Sequence, residues 1–189
     1  MSLNLYHINK SWTLFLDRDG VINKRLIDDY VKSVDEFEFL PGVLNAIKSF
    51  TNLFDRIFIV TNQQGISKGL MTENDLQLIH NHLIERVLEV GGKIDKIYYC
   101  LDLAGTESKN RKPETGMALQ AKNDFPDIDF SKSIMIGDSI SDMKFGKNAG
   151  MKTVFISDKH TDYDLSLVDT NFESLKLFAD QLTINYNYL

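Results

Sequence analysis

The sequence predicts an α/β protein of three layers, with a central, mostly parallel sheet between two layers of helices. Two observations lead there. Short apolar runs alternate in order with longer segments of helical periodicity. The runs are nearly continuous in Ile, Val, Phe, Tyr and Leu, as strands covered on both faces are. Length sets the scale: 189 residues, 43% of them apolar, bury one sizeable core and not two. The expectation is a single Rossmann-like domain over residues 1–189, core about 11–182, with no separate cap domain. The gaps Val21–Leu40 and Leu101–Arg111 are too short to fold alone.

The strands are expected at Trp12–Asp17, Arg56–Thr61, Lys96–Cys100, Ser133–Gly137 and Lys152–Ile156. Pro41 can open the first helix, which turns Val43, Leu44, Ile47 and Phe50 to a core. Thr72, with Asp75 three residues on, caps the second. Its stripe is Leu76, Ile79, Leu83, Val87 and Val90, and Gly91-Gly92 ends it. A third helix follows Pro113 to about Asn123, a fourth runs from Ser139 to about Asn148, and a fifth covers roughly Phe172–Leu182. Tyr98, Tyr99 and Phe155 are expected in the core, and His7, His80, His82 and His160 at the surface.

Composition excludes several functions. The balance of 21 Lys+Arg against 27 Asp+Glu, a net charge of −6, argues against nucleic acid. No apolar run is long enough to span a bilayer, and residues 1–10 carry no secretory pattern. A lone cysteine, Cys100, allows no internal disulfide and fits a reducing compartment. A cytoplasmic monomer that meets neither membrane nor nucleic acid is expected.

In a parallel sheet, ligands bind beyond the carboxyl ends of the strands, so those residues carry the functional reading. The first run ends Leu16-Asp17-Arg18-Asp19-Gly20. Carboxylates at i and i+2 leave an extended chain on one side, with Arg18 pointing away, and such a pair is unfavourable without a cation or a proton between them. An acidic turn would also explain it. The second ends Thr61-Asn62-Gln63-Gln64-Gly65, where a hydroxyl and amides can hold phosphate oxygens; Thr-Asn is also a common exit into a turn. Arg111-Lys112-Pro113 leaves Lys112 poised before a helix start, either an anion site or a solvated basic loop. The fourth ends Gly137-Asp138-Ser139, with Asp142 one turn on. Asp142 can also be a helix-capping residue behind Ser139; Asp138 has no such structural use. Four such fragments at one sheet edge supply three or four carboxylates, a hydroxyl and a lysine. Hard oxygen ligands in that number suit Mg²⁺ with a substrate phosphate.

The ordered set Asp17-x-Asp19-Gly20, Thr61-Asn62, Lys112 and Gly137-Asp138-x-x-x-Asp142 resembles the haloacid dehalogenase-like hydrolase superfamily. Residues 15–23, 61–66 and 111–117 resemble its heptose bisphosphate phosphatase and histidinol-phosphatase branch, and Asn62-Gln63-x-Gly65-Ile66-x-Lys68-Gly69 leans to the heptose side. The resemblance implies a Mg²⁺-dependent phosphatase acting on a small phosphorylated metabolite, above all a D-glycero-D-manno-heptose 1,7-bisphosphate at its 7-phosphate. Histidinol phosphate or another sugar or polyol phosphate is the alternative substrate. It implies Asp17 as nucleophile and Asp19 as acid and base. Asp17, Asp138 and the carbonyl of Asp19 would hold Mg²⁺, while Thr61, Asn62 and Lys112 grip the phosphate. Asp142 would orient Lys112 or a metal-bound water, and Arg111 would reach the rest of the substrate.

The chain departs from that branch in the loop after the third strand, where its members hold zinc with four Cys and His ligands. Here only Cys100 remains, Asp102 stands at the His position, and a structural zinc is not expected. Ser139 replaces a frequent Lys, and Gln64 a small residue. Specificity is expected from Val21–Leu40, Gln63–Leu70 and Leu101–Arg111. A phosphoacceptor receiver domain is the alternative of another class; it would place its acceptor Asp on a middle strand, and here no Asp ends the third run.

Overall fold

The computed structural model describes residue 5, residues 8–157, residue 164 and residues 166–187, with side chains to residue 184. His7 and His160 lie outside the described residues. Among the described residues, six strands form one all-parallel sheet: β1 (Thr13–Leu16), β2 (Arg56–Asn62), β3 (Lys96–Cys100), β4 (Ser133–Gly137), β5 (Lys152–Ile156) and β6 (Thr170–Phe172). Their order is β3-β2-β1-β4-β5-β6. It reverses between β1 and β4, so a crevice opens where those two strands end.

The pleat sorts side chains into two cores. Leu14, Leu16, Ile57, Ile59, Ile134 and Ile136 face one layer, formed by α1 (Val43–Leu53), α2 (Glu73–Glu89) and α5 (Leu175–Asn187). Phe15, Phe58, Val60 and Met135 face α3 (Gly116–Asp124) and α4 (Ile140–Asn148). Three strands match their predicted bounds, and α2 starts with the expected reciprocal cap of Thr72 and Asp75.

Several expectations need correction. Pro41 does not open α1: Gly42, with φ 77°, is the N-cap and Val43 the first helical residue. Nor does Pro113 open α3, because the chain first turns through a Glu114 N–H to Arg111 C=O bond and a Gly116 N–H to Lys109 C=O bond. The helix therefore starts at Gly116. Three residues assigned to loop or helix form β6 instead, pairing with β5, and α5 begins at Leu175. Tyr99 is 38% exposed because β3 is an edge strand, whereas Tyr98 is buried against Phe58. His80 is buried as well. It lies one turn after Leu76 on the apolar stripe of α2 and faces Arg18. His82 is half-buried, beside the rings of Phe37 and Phe39.

Candidate active site

The ends of β1, β2 and β4 and the loop before α3 enclose a cleft of about 480 Å³ lined by Asp17, Asp19, Thr61, Asn62, Arg111, Lys112 and Asp142. β1 is buried along its whole length, so the residue that follows it, Asp17, starts from a fixed position and is itself 5% exposed. Its N–H bonds to the carbonyl of Ile136 on β4, at 2.9 Å. That bond brings the exits of β1 and β4 side by side. Asp17, Asp138 and Asp142 each place one carboxylate oxygen within 4.8 Å of the others.

Gly20 makes that approach possible. Its φ is 92°, and a Cβ there would lie 1.9 Å from Asp138 Oδ2. Gly137 does the same on β4, since a Cβ would fall 2.2 Å from that of Asp142. Gly20→Ala is therefore expected to cost at least about 1 kcal/mol in backbone strain and to push Asp138 aside. A lower melting temperature together with weaker divalent-cation binding by calorimetry would report both effects.

Lys112 is the hub on the inner side. Its Nζ lies 2.7 Å from Asp17 Oδ1, 2.6 Å from Asp142 Oδ1 and 2.8 Å from the Val60 carbonyl, with the side chain 2% exposed. Burial alone would lower its pKa; Asp142 and Asp17 outweigh that and raise it, so the ammonium stays charged. Asn62 places it: the side-chain carbonyl accepts from the Lys112 N–H at 3.0 Å and the amide donates to the Lys112 carbonyl at 3.2 Å. The Asn62 side chain is thus committed to the lysine backbone rather than presented freely to a ligand. Asp142 takes both parts read from the sequence. One oxygen closes the capping box with Ser139 and the other pairs with Lys112.

Asp19 is held differently. Oδ1 accepts from Arg18 Nη2 at 3.0 Å and Asn23 Nδ2 at 2.9 Å, and Oδ2 accepts from Gln63 Nε2 at 2.9 Å. Burial pushes its pKa up, but the Arg18 charge and these hydrogen bonds prevail and hold it below the usual carboxylate value. Arg18 does not simply point away, as expected. It is 1% exposed and folds back on Asp19, with Nη1 3.3 Å from Nε2 of His80. Burial and the arginine push His80 down to about 3, so the ring is neutral and accepts at Nε2. Thr61 Oγ1 accepts from Gln63 Nε2 at 2.8 Å, which leaves its hydroxyl hydrogen to donate elsewhere.

Asp17 and Asp138 carry an unresolved conflict. Burial, then the charge of Asp142, lifts Asp17 to about 6; burial, then the charge of Asp17, lifts Asp138 to about 7. A divalent cation relieves such a conflict, and the donors are hard oxygens, so the cluster fits Mg²⁺.

At the mouth, Arg111 Nη1 donates to the carbonyl of Asp102 at 3.0 Å. Where a zinc ligand pair would stand, the Asp102 carboxylate accepts from the Ser108 hydroxyl at 2.5 Å and from Cys100 Sγ at 3.4 Å. Gln64 joins all three loops expected to set specificity. Its amide donates to Tyr30 Oη at 2.7 Å, and its carbonyl accepts from the Ala104 N–H at 2.9 Å. Sequence reading did not give Gln63, Asn23 or Arg25 the contacts they make here. The first two are ordinary loop amides, but Arg25 reaches the acidic cluster itself: Nη2 lies 2.7 Å from Asp138 Oδ1, 3.0 Å from the Asp19 carbonyl and 3.7 Å from Asp17 Oδ2.

The chain is similar to several known proteins. A HAD-hydrolase-like family profile matches residues 109–180. The D-glycero-alpha-D-manno-heptose-1,7-bisphosphate 7-phosphatase of Campylobacter jejuni is 42% identical over 147 residues, 78% of this chain and 83% of its own. The D-glycero-beta-D-manno-heptose-1,7-bisphosphate 7-phosphatase of Rhodopseudomonas palustris is 35% identical over 72% of this chain and 78% of its own. A crystal structure of the D,D-heptose 1,7-bisphosphate phosphatase from B. bronchiseptica, complexed with magnesium and phosphate, superposes with a TM-score of 0.82 at 28% identity. The match covers 92% of this chain and 98% of that one.

Proposed function

The chain belongs to the haloacid dehalogenase-like hydrolases, as a phosphoric monoester hydrolase related to the heptose bisphosphate phosphatases, and from that premise we propose that it removes the 7-phosphate of a D-glycero-D-manno-heptose 1,7-bisphosphate within one catalytic domain. The observation that carries this reading is the cluster of Asp17, Asp138 and Asp142, the first and last of them buried and paired to Lys112.

In this reading Asp17 attacks phosphorus through a carboxylate oxygen. The phosphorus–oxygen bond to the sugar breaks, and Asp19 donates a proton to the departing oxygen. Asp19 then takes a proton from the water that cleaves the aspartyl phosphate, which frees phosphate and restores Asp17. Asp19 is held ionised before substrate arrives, and the like charge of a bound phosphate is what raises it toward protonation. Lys112 places a fixed positive charge beside the attacking oxygen, and the Thr61 hydroxyl donates to a phosphoryl oxygen. Asp17, Asp138 and the Asp19 carbonyl would hold Mg²⁺, which supplies charge neutralisation between nucleophile and phosphate. Arg111 and Lys68 line the mouth and meet the non-reacting part of the substrate.

The test is phosphate release, with Mg²⁺ and with EDTA, from both anomers of the heptose 1,7-bisphosphate, other sugar and polyol phosphates and histidinol phosphate. The expected result is fastest turnover of a heptose 1,7-bisphosphate to the 1-phosphate, stopped by EDTA. No turnover of any ester with Mg²⁺ present overturns the reading.

A further inference from the structure

We propose that Arg25 is the resident counter-cation of the acidic centre: its guanidinium and Mg²⁺ compete for the same oxygens, and loading the metal swings Arg25 out to the mouth of the cleft. This rests on the metal assignment above and goes beyond it, since nothing in the motif set gives Arg25 a role.

The geometry is specific. One guanidinium nitrogen, Nη2, touches three oxygens: Asp138 Oδ1, the Asp19 carbonyl and, at longer range, Asp17 Oδ2. These belong to the same three residues that the family resemblance assigns to Mg²⁺. An oxygen bound to Mg²⁺ can still accept a hydrogen bond on its other side, but one nitrogen close to all three oxygens takes the space among them that a cation ligated at about 2.1 Å needs. The two occupants exclude each other. Lys112 is not a competitor of this kind, because it approaches Asp17 through Oδ1, is fixed by Asp142 and Val60, and is fully buried.

Arg25 can leave. Its side chain is 46% exposed, and it sits in a loop in which Lys24, Asp28 and Asp29 are exposed too. The cleft it lines continues outward to Lys68 and Arg111. Once displaced, the guanidinium stays on its three-carbon stem beside those two cations, where an anionic substituent of a substrate would meet it. The residue thus gives the partly buried Asp138 carboxylate a counter-charge before the metal arrives, and adds a cation to the substrate mouth afterwards.

The experiment compares the unsubstituted chain with Arg25→Gln and, as a control for net charge, Lys24→Gln. The Lys24 ammonium is turned to Glu38 at 3.4 Å, away from the cluster. Mg²⁺ binding is measured by calorimetry, and melting temperature with and without saturating Mg²⁺. Competition predicts that Arg25→Gln binds Mg²⁺ at least about tenfold more tightly, the size expected for a lost charge-assisted contact. Lys24→Gln binds it as wild type does. Arg25→Gln also melts below wild type without metal, and the deficit closes when Mg²⁺ is added. Unchanged or weaker Mg²⁺ binding by Arg25→Gln overturns the proposal, as does a melting deficit that persists undiminished at saturating Mg²⁺, or equal tightening in Lys24→Gln. Absence of Mg²⁺ binding in all three proteins would instead strike at the metal assignment itself.

Discussion

Asp17→Asn is expected to lower turnover by at least about a thousandfold, the scale of losing a covalent nucleophile, while the protein stays folded. The amide keeps the shape of the side chain and cannot form the phosphoryl ester. Folding survives because the carboxylate it replaces is costly to bury. Its pKa in the folded protein is raised to about 6. A group raised on folding contributes stability that is present below its unfolded value, 3.8, and is lost as pH rises through about 6. At pH 7 the metal-free wild type therefore bears the full penalty of this charge, and the asparagine removes it. Lys112 keeps Asp142 and the Val60 carbonyl as partners. Activity against the preferred ester, with a metal-free melting curve at pH 7, checks both halves. Turnover within tenfold of wild type would dismiss Asp17 as nucleophile.

Lys112→Met has the second large effect, and here stability falls too. Two carboxylates, Asp17 and Asp142, lose the buried ammonium between them. Removing one partner of a buried ion pair costs about 3–5 kcal/mol, which for a chain of this size is roughly 10 °C in melting temperature. Turnover should drop by at least about a hundredfold, because a fixed charge at the transferring phosphoryl group is gone. The deficit has a direction in pH. Without the lysine, the Asp17 carboxyl titrates above its present value of about 6, so lowering the pH neutralises it and removes the penalty. The gap in melting temperature from wild type should narrow between pH 7 and pH 5. A gap that is constant or widens would mean that the lysine acts through packing rather than charge.

The parts of this molecule legible in its sequence are those in which chemistry and periodicity coincide. Asp17 and Asp138 stand out because each directly follows a strand covered on both faces, Lys112 because it stands in the loop just ahead of a helix, and the strand order then brings them together. Cap residues were equally plain: Thr72 with Asp75, and Ser139 with Asp142, use local hydrogen bonds that need no tertiary context. What stayed hidden depends on distant partners. β6 is three residues long, half exposed, and exists only because β5 pairs with it. Arg25 lies in a loop without periodicity, and its reach to Asp138 spans 113 positions. His80 was the avoidable miss, since its spacing from Leu76 already set it on the apolar face of α2.

The Gln64 side chain, shared between Tyr30 and Ala104, has a consequence for how new selectivity could arise in this scaffold. Because one amide staples separate stretches of the rim together, a change that moves any one of them tugs on the rest. Drift toward another ester would have to alter these stretches in concert, or first exchange Gln64 for a shorter residue and so uncouple them.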